Sequence, residues 1–420
     1  MPVLENSRLE EARTQTLALV EDVSDADLER VHSPLMSPLV WDLGHIATFE
    51  DLWLCHRLGG LPLLRADLLE VYDAFETPRA KRGGLPYLRR AAALAYLEAV
   101  RDRVGGLHLD DEEPLAEMVV RHERQHAETM LQTLALAALP YWRPRGALSA
   151  GGPDAPQAAS GLELIEVAAA SFPLGAGGER FAYDNELPEH QVQVESFAIG
   201  KVAVTNRDWL DFIADGGYER AEWWTPQGWQ WRRSEHVHRP LHWLDDGREQ
   251  QLGGAGELIL DRPVVHVSCH EADAFVAARG LRLPSEVEWE LAASFDHATA
   301  CKRAWPWGEQ SPGRNDANLI ESGNFAPLGA GALAAGASPC GALGMIGDVW
   351  EWTASEFAAY PGFRAHPYRE YSEVFFGGSY RVLRGGSFAT SALVATPTFR
   401  NWDLPARRQI FAGLRVAADA

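Results

Sequence analysis

A stretch rich in proline, glycine and alanine, residues 144–162, divides this sequence into two parts with different patterns. Before it, apolar residues recur at the spacing of amphipathic helices. After it, short strand-like and helix-like segments alternate with long loops that hold most of the 15 tryptophans and 38 glycines. The sequence therefore predicts an α+β multidomain chain, with a helical bundle over residues 1–143, a linker over 144–162 and a loop-rich α+β domain over 163–420.

Capping residues and helix breakers delimit the helical runs of the first part. The predicted helices begin at Asn6 or Ser7, at Ser24, after Ser37-Pro38, near Pro86 and near Glu113, and the four longer ones end near Val23, Leu58, Val104 and Leu139. Glycine pairs or a proline follow three of these ends, where glycine permits left-handed backbone and proline cannot continue a helix. These runs favour an antiparallel helical bundle with elaborated loops.

Three short helices of the second part are predicted from a capping-box spacing, in which serine or threonine precedes an acidic residue by three positions. The pairs are Thr205 with Asp208, Ser268 with Glu271, and Ser285 with Glu288. Val192 and Val194 alternate with glutamines, and this alternation predicts a β-strand.

The charge balance, the cysteines and the first twenty residues indicate which binding partners and which cellular location to expect. The chain has 38 basic and 59 acidic residues and a formal net charge of −21. Nucleic acids and anionic membranes are bound mainly through lysine and arginine, so we expect neither as a partner. The four cysteines form no C-x-x-C pair, and the first twenty residues are interrupted by charges where a leader would be apolar. These features predict a reducing, cytoplasmic location.

Two histidines one helical turn apart are the strongest chemical signal. His122-Glu-Arg-Gln-His126 matches H-E-x-x-H, and the i, i+4 spacing directs both imidazoles from one face of a helix. That face carries apolar neighbours, so the pair is predicted to point into the bundle. His45 has Trp41 and Phe49 as its i−4 and i+4 neighbours, so it is also predicted to point inward.

The residues alone leave several interpretations of these histidines open. A zinc hydrolase would use Glu123 as its base, but Thr129 replaces the glycine of the metzincin motif, and no glutamate follows Glu128 before Glu163. With His45, the motif forms a three-histidine site with open positions, and imidazole suits iron as well as zinc. A non-catalytic lectin-like module with an attached bundle would need no metal and no inward histidines.

Segments from both parts resemble one known family. In the first part they are Ser33-Pro-Leu-Met-Ser-Pro-Leu-Val-Trp-Asp-Leu-Gly-His45, Tyr72-Asp-Ala-Phe-Glu-Thr-Pro-Arg79-Ala-Lys-Arg82 and His122-Glu-Arg-Gln-His126-Ala-Glu-Thr-Met-Leu. They resemble the DinB-like domain of the ergothioneine-biosynthesis sulfoxide synthases, the EgtB family. In the second part they are Arg282-Leu-Pro-Ser-Glu-Val-Glu-Trp289-Glu, Gly347-Asp-Val-Trp-Glu-Trp352 and Arg384-Gly-Gly-Ser-Phe388. They resemble the C-type-lectin-like domain of the formylglycine-generating enzymes, also called the FGE-sulfatase domain.

The resemblance implies a fold and a reaction. The fold would be a DinB-like four-helix bundle followed by an FGE-type α+β domain. The reaction would join the sulfur of γ-glutamylcysteine to imidazole C2 of hercynine (trimethylhistidine), with a mononuclear non-haem Fe(II) and O₂, and would yield a sulfoxide. His45, His122 and His126 would be the iron ligands, and these are the histidines that the residue pattern had already selected. A homologue that uses free cysteine or a selenium donor is the nearest alternative.

The resemblance also implies roles for residues that contact the substrates. Arg79 and Arg82 would hold the carboxylates of the γ-glutamyl donor, Gln125 the imidazole, Asn401 and Trp402 the hercynine carboxylate, and Asp403 and Arg407 the amine and carboxylate of the thiol donor. Tyr368 would be the proton donor and Tyr371 a substrate contact, with the two roles exchangeable. Residues 388–400 contain no cysteine, so the thiol chemistry of formylglycine-generating enzymes is not expected.

Overall fold

The computed structural model describes residues 4–107, 114–145, 160–178 and 180–420. The chain divides into two compact units. The first, here called the helical unit, comprises Met1–Arg145 and Leu252–Gly254, and the second, the mixed unit, comprises Gly146–Gln251 and Ala255–Ala420. Most of the predicted linker lies outside the described residues. Among the helices described, none combines the length and the apolar character needed to cross a membrane.

The helical unit confirms the predicted bundle. Its helices are α1 (Leu4–Val20), α2 (Asp25–Leu28), α3 (Leu39–Glu50), α4 (Arg79–Arg82), α5 (Arg90–Gly105) and α6 (Pro114–Ala137). A π-helical segment, Asp51–Leu58, continues α3, and a 3₁₀ turn, Ala66–Leu68, follows it. Helix α1 packs along α6, and α3 packs against both α5 and α6.

Capping was predicted correctly at one of these helices and wrongly at another. Ser24 caps α2 by accepting a hydrogen bond from the amide of Asp27, at 3.2 Å. At α3 the capping residue is Pro38, and Ser37 makes no capping bond. The Ser37 hydroxyl instead accepts a hydrogen bond from Nη1 of Arg82 at 2.8 Å, because this buried guanidinium needs acceptors within the fold.

Two predicted helix starts also differ from the structure. Helix α1 begins at Leu4, ahead of the predicted cap at Asn6 or Ser7. Helix α5 begins at Arg90, four residues after the predicted start. The amide of Leu88 donates to the Tyr72 hydroxyl at 2.8 Å, so a tertiary contact holds the segment that precedes α5. The predicted start of the last helix, at Glu113, lies outside the described residues.

Charged side chains in the core connect four helices of the bundle. Arg13 of α1 donates from Nε to Oε1 of Glu123 at 2.8 Å and from Nη2 to Oε2 of Glu50 at 2.7 Å. Arg101 of α5 donates from Nε to Oε1 of Glu50 at 2.8 Å. Both carboxylates are fully buried. Since a buried carboxylate is stable only with its cationic partner, this network favours one arrangement of α1, α3, α5 and α6.

The mixed unit combines short helices with small sheets. Its helices are α7 (Asn206–Ala214), α8 (Pro226–Ser234), α9 (Cys269–Ala278) and α10 (Glu286–Ser294). Its strands are β1 (Leu164–Val167), β2 (Ala170–Leu174), β3 (His190–Val194), β4 (Phe197–Gly200), β5 (Arg248–Gln251), β6 (Gly254–Glu257), β7 (Phe295–Asp296), β8 (Cys301–Lys302), β9 (Trp350–Glu356), β10 (Arg381–Arg384), β11 (Asn401–Asp403), β12 (Ala412–Leu414) and β13 (Ala417–Asp419). The α+β class predicted from the sequence is therefore confirmed.

Two sheets organise these strands. One has the order β11-β10-β9-β12, with β12 parallel to β9 and the other pairs antiparallel, and the other has the antiparallel order β1-β4-β13. Two-stranded sheets pair β2 with β3, β5 with β6, and β7 with β8. The predicted strand at Val192 and Val194 is β3. The three predicted capping boxes are all present, at the starts of α7, α9 and α10.

Buried arginine–glutamate pairs lie in and around the four-stranded sheet, and two of them join it to α10. The three pairs are Arg384 with Glu290, Arg400 with Glu286, and Arg415 with Glu351. Two of the glutamates belong to α10, and all three arginines are fully buried. Gly385, which follows the first arginine, has φ +95°, and a Cβ there would lie 2.7 Å from the Met345 carbonyl oxygen. Only glycine fits this turn of the Arg-Gly-Gly-Ser motif.

We expect Arg13→Met to lower the free energy of unfolding of the helical unit by about 3–5 kcal/mol, because it leaves buried carboxylates without their partner. Urea unfolding followed by far-ultraviolet circular dichroism would measure the change. Arg8→Met is the matched control, since Arg8 also lies on α1 and pairs with a glutamate of α6, Glu117, at 3.0 Å, but with 45% of its side chain exposed. Its loss should cost less than about 1 kcal/mol. Equal losses in the two variants would contradict a special role for the buried network.

Candidate metal centre

Three histidines converge inside the helical unit. His45 comes from α3, and His122 and His126 come from successive turns of α6. A nitrogen of each ring lies within 4.8 Å of a nitrogen of each of the others. Nε2 of His45 is 3.0 Å from Nε2 of His122. Within the described residues, no other group of three histidine, cysteine, aspartate or glutamate side chains converges in this way.

His45 is held by a hydrogen bond and by an aromatic neighbour. Its Nδ1 donates to the Tyr72 carbonyl oxygen at 2.7 Å, which leaves a lone pair on Nε2. The Trp41 ring stacks on it, with centroids 5.0 Å apart and an interplanar angle of 12°. Gly44 leaves room for the Tyr72 side chain, since a Cβ there would lie 2.1 Å from Cζ of Tyr72. Burial lowers the pKa of His45 well below its usual value, so the ring is neutral at pH 7.

His122 is held mainly by packing. The Phe49 ring stacks against it at a centroid distance of 3.7 Å and an interplanar angle of 9°. Burial lowers the pKa of His122 well below its usual value, and the neighbouring His126 and His45 lower it further. A neutral imidazole is the form that binds a metal ion.

His126 has a carboxylate as its neighbour. Its Nδ1 lies 3.1 Å from Oδ1 of Asp42, which is fully buried on α3. Because Nδ1 is engaged there, Nε2 is the nitrogen left for a ligand bond. Helix α3 thus supplies one of the three histidines and a contact to each ring.

The donor set fits one transition-metal ion. Two nitrogens that bind an ion at about 2.1 Å and at right angles are separated by about 3.0 Å. The nitrogens of His45 and His122 have this separation, 3.0 Å. Two neutral imidazoles whose lone pairs face one another repel unless a proton or a cation lies between them. The arrangement therefore suits an ion such as Fe(II) or Zn(II), which accept imidazole ligands.

Glu123 is not placed as the base of an H-E-x-x-H hydrolase. Its carboxylate is fully buried and accepts hydrogen bonds from Nε and Nη2 of Arg13, at 2.8 and 3.3 Å. A general base needs an accessible lone pair within reach of the water that it activates. The carboxylate that would do this in a zinc hydrolase is instead part of the ion network that connects the helices.

The two predicted donor-binding arginines differ in their surroundings. Arg82 is buried, and its Nε, Nη1 and Nη2 donate to the Thr77 carbonyl, the Ser37 hydroxyl and the Ala74 carbonyl, at 2.8, 2.8 and 2.9 Å. Its guanidinium also lies 3.9 Å from the centroid of Trp41. These contacts bind Arg82 to its own loop and to Ser37 and Trp41, at the start of α3. Burial lowers the pKa of Arg82 to about 10, so it stays charged at neutral pH.

Arg79 has longer contacts than Arg82 has. Arg79 is half-buried at the start of α4, and its Nη1 donates a long hydrogen bond, 3.4 Å, to the Leu35 carbonyl and contacts the Met36 sulfur at 3.7 Å. Gln125 is half-buried on α6, next to His126 in sequence. The predicted loop around both arginines contains the short helix α4, which the sequence analysis did not anticipate.

The mixed unit brings together three of the predicted site residues. Tyr371 contacts Tyr368 edge-on, with ring centroids 6.1 Å apart, and contacts Trp402 edge-on at 5.9 Å. The Tyr371 ring also stacks on Tyr183 at 4.4 Å and 8°. The next residue, Ser372, is fully buried and anchors this segment. Its hydroxyl donates to Asp184 Oδ1 at 2.5 Å and accepts from Asn185 Nδ2 at 3.0 Å.

The remaining predicted residues lie on β11 and just after it. Asp403 and Arg407 form an ion pair, with Nε 3.5 Å from Oδ1. The Asn401 side-chain oxygen accepts from the amide of Trp402 at 2.9 Å. The Trp402 ring stacks on Phe357 at 4.2 Å and 7°. This strand therefore presents an amide, an indole edge and a pair of opposite charges within seven residues.

Family models and full-length relatives match nearly the whole chain. One family model, the sulfatase-modifying factor enzyme 1-like domain, matches residues 152–420, and another, the DinB superfamily, matches residues 8–130. The hercynine oxygenase of Mycobacterium tuberculosis is 47% identical over 98% of this chain and 97% of its own length. The hercynine oxygenase of Mycolicibacterium thermoresistibile is 45% identical over 98% of this chain and 94% of its own length. The chain belongs to the hercynine oxygenase family.

As a member of this family, the chain is an oxygenase, and the resemblance found in its sequence segments is confirmed. Among solved structures, PvdO from Pseudomonas aeruginosa is 20% identical, with a TM-score of 0.42 over 64% of this chain and all of that one.

The sequence analysis missed several residues that position the three histidines of this oxygenase. Asp42 and Gly44 lie within the Trp-Asp-Leu-Gly-His segment that carried the resemblance, but nothing in the spacing assigned them a role. Tyr72 acts through a main-chain carbonyl, so its residue type carries no signal for this contact. Arg13 lies on the first helix, 110 positions from Glu123, and only the fold brings the two together.

Proposed function

We propose that this hercynine oxygenase homologue is an iron(II)- and O₂-dependent sulfoxide synthase of ergothioneine biosynthesis. It would join the sulfur of γ-glutamylcysteine to imidazole C2 of hercynine. The observation that carries the proposal is the convergence of His45, His122 and His126 in a chain that is 47% identical to a hercynine oxygenase along nearly its full length. Metal binding is assigned to the three histidines of the helical unit, and substrate contacts are assigned to the residues that the family resemblance implies.

The overall reaction balances with one molecule of O₂. The thiol and the imidazole each lose one hydrogen, and a carbon–sulfur bond forms between them. One oxygen atom goes to sulfur, and the other leaves as water with the two hydrogens. Dioxygen thus accepts four electrons, two from bond formation and two from oxidation of the sulfur. Bound Fe(II) would supply this redox chemistry, which Zn(II) lacks.

The protein's own groups have three tasks in this scheme. The three histidines would hold the metal on one side and leave its other positions open for ligands. Charged side chains, Arg79 for the donor's carboxylate and the Asp403–Arg407 pair for its amine and carboxylate, would orient the thiol. Opposite charges 3.5 Å apart complement a zwitterion, which carries both signs at a similar spacing. Holding both substrates in place removes most of the entropic cost of their meeting.

A tyrosine would supply the proton that the reduction of oxygen consumes. A phenol with a pKa near its usual value of about 10 is protonated at pH 7 and can donate to a developing oxygen anion. We assign this role to Tyr368 and assign Tyr371 to a substrate contact. The stacking of Tyr371 on Tyr183 supports this assignment, since a ring packed face to face is held rigidly and suits a binding surface.

The proposal is tested by anaerobic reconstitution with Fe(II), followed by O₂ and hercynine with either γ-glutamylcysteine or cysteine, and by mass spectrometry of the products. We expect the sulfoxide with γ-glutamylcysteine, and no product from the Zn(II)-loaded protein. His122→Ala and His126→Ala should abolish both metal binding and turnover. Preference for cysteine or for a selenium donor would move the chain to the alternative donor class. Activity of the zinc form alone would refute the iron chemistry.

The proposed contact between Arg79 and the thiol donor can be tested by replacing three arginines one at a time. Arg79→Ala should raise the KM for γ-glutamylcysteine by about ten- to a hundred-fold, since a charge-assisted hydrogen bond is worth about 1.5–3 kcal/mol, and should leave the KM for hercynine unchanged. Arg82→Ala should mainly lower the thermal unfolding midpoint, because the hydrogen bonds of Arg82 join its own loop to Ser37 before α3. Arg89→Ala, which removes an arginine with 67% of its side chain exposed, is the control for charge. Equal effects of Arg79→Ala on both substrates would contradict a donor contact.

The proton donor can be tested by removing single hydroxyl groups. Tyr368→Phe keeps the edge contact with Tyr371 but loses the proton, so sulfoxide formation should fall by about 10²–10⁴-fold. Oxidation of the thiol alone to a sulfinate would then compete, and O₂ uptake and product ratio must be measured separately. Tyr371→Phe should mainly raise the KM for hercynine. If the effects are reversed, the two roles are exchanged, and if neither variant alters the product ratio, the acid lies elsewhere.

A further inference from the structure

We infer that Asp42 is a positioning residue for the metal centre: its carboxylate fixes the tautomer and orientation of His126, and its negative charge strengthens metal binding at the three histidines. The inference rests on the proposed metal site and extends it to a residue outside the ligand set. It concerns how tightly the ion is held and which oxidation state is favoured, rather than which substrates react.

The first argument is geometric. Oδ1 of Asp42 lies 3.1 Å from Nδ1 of His126, and the carboxylate has no exposed surface. A deprotonated carboxylate has no hydrogen to donate, so with Asp42 in that form the hydrogen bond requires the proton on Nδ1. Nε2 of His126 then carries the lone pair. Asp42 precedes His45 by three positions on α3, so one rigid helix sets both a ligand and the orientation of the opposing ligand.

The second argument is that the protein's own contacts leave the Asp42 charge under-compensated. Its other oxygen, Oδ2, is buried and has no hydrogen-bond partner in the part of the chain that the structure describes. The Asp42 charge does interact favourably with Arg82, but the hydrogen bonds of that guanidinium go to two carbonyls of its own loop and to the Ser37 hydroxyl. Burying a carboxylate with so few partners is costly. A divalent cation on the far side of the His126 ring would offset that cost.

The third argument comes from the contrast among the three histidines. His45 donates to a neutral carbonyl, and His122 is held by the Phe49 ring. His126 alone, within the described residues, has a carboxylate at its second nitrogen. A carboxylate in this position makes an imidazole a stronger donor to the metal, and removing such a partner typically costs about 10- to 100-fold in metal affinity. Asp42 should therefore contribute more to metal binding than any other residue outside the ligand set that contacts these rings.

The test compares two buried aspartates. Wild type, Asp42→Asn and Asp51→Asn are titrated anaerobically with Fe(II), and with Co(II) as a coloured probe, against a competing chelator. Asp42→Asn should bind about 10- to 100-fold more weakly. Asp51→Asn makes the same chemical change in the segment that continues α3, where the carboxylate pairs with Arg103 at 2.8 Å and accepts from the Leu64 amide at 2.8 Å. Its metal affinity should equal that of the wild type.

Two further measurements separate positioning from a merely structural role. The Fe(III)/Fe(II) midpoint potential should rise in Asp42→Asn, because loss of a nearby negative charge disfavours the more highly charged ion. In the zinc-loaded wild type, long-range proton–nitrogen correlation spectra should show the His126 proton on Nδ1. This last readout needs no variant, so it stands even if Asp42→Asn fails to fold.

The outcomes distinguish this inference from the function on which it rests. If wild type binds neither Fe(II) nor Co(II), the proposed metal site fails. If wild type binds the metal but Asp42→Asn matches it in affinity and potential, the role of Asp42 is overturned while the proposed function stands. A His126 proton on Nε2 in the zinc-loaded protein, with metal on Nδ1, would also overturn it.

Discussion

Three imidazoles from two helices can share one ion only if those helices keep a fixed separation and rotation. The charged network in the bundle core provides this constraint. Arg13 joins α1 to Glu50 at the end of α3 and to Glu123 on α6, and Arg101 of α5 adds a second contact to Glu50. Glu123 follows His122 directly, so the network holds α6 at the same turn that carries the ligand. The glutamate of the H-E-x-x-H motif thus has a structural task that explains its presence without hydrolytic chemistry.

Local patterns in the sequence predicted local structure well. The capping boxes of α7, α9 and α10 were recognisable because donor and acceptor lie three residues apart, and the histidine pair was recognisable because both members share one helix face. Ser37 shows where such reasoning fails. Its position before a proline is typical of a helix cap. In the structure, however, its hydroxyl accepts a hydrogen bond from the buried Arg82, 45 residues away. The residues next to Ser37 in the sequence do not indicate that a distant side chain competes for its hydroxyl group.

The sequence also predicted the candidate site in part: it indicated the direction of His45 but not the difference between the two arginines. The inward direction of His45 followed from its aromatic neighbours, and both Trp41 and Phe49 do pack against histidine rings. The difference between Arg79 and Arg82 could not be predicted, since both belong to the same short segment. The guanidinium of Arg82 donates to two carbonyls of its own loop and to Ser37, whereas that of Arg79 makes a longer hydrogen bond to Leu35. This difference depends on where the chain turns. The roles of the tyrosines and of residues 401–407 stay predictions until the variants are measured.

The close approach of Tyr72 to Gly44 links two positions that are distant in sequence. The phenol ring occupies the space that any side chain at position 44 would need, and the same tyrosine residue offers its carbonyl to His45. A larger residue at position 44 would have to push this ring away and, with it, the main chain that orients the ligand. A substitution at position 44 would therefore alter the orientation of a candidate metal ligand as well as the packing around it. One glycine hydrogen atom thus sets how precisely His45 is directed toward the other two histidines.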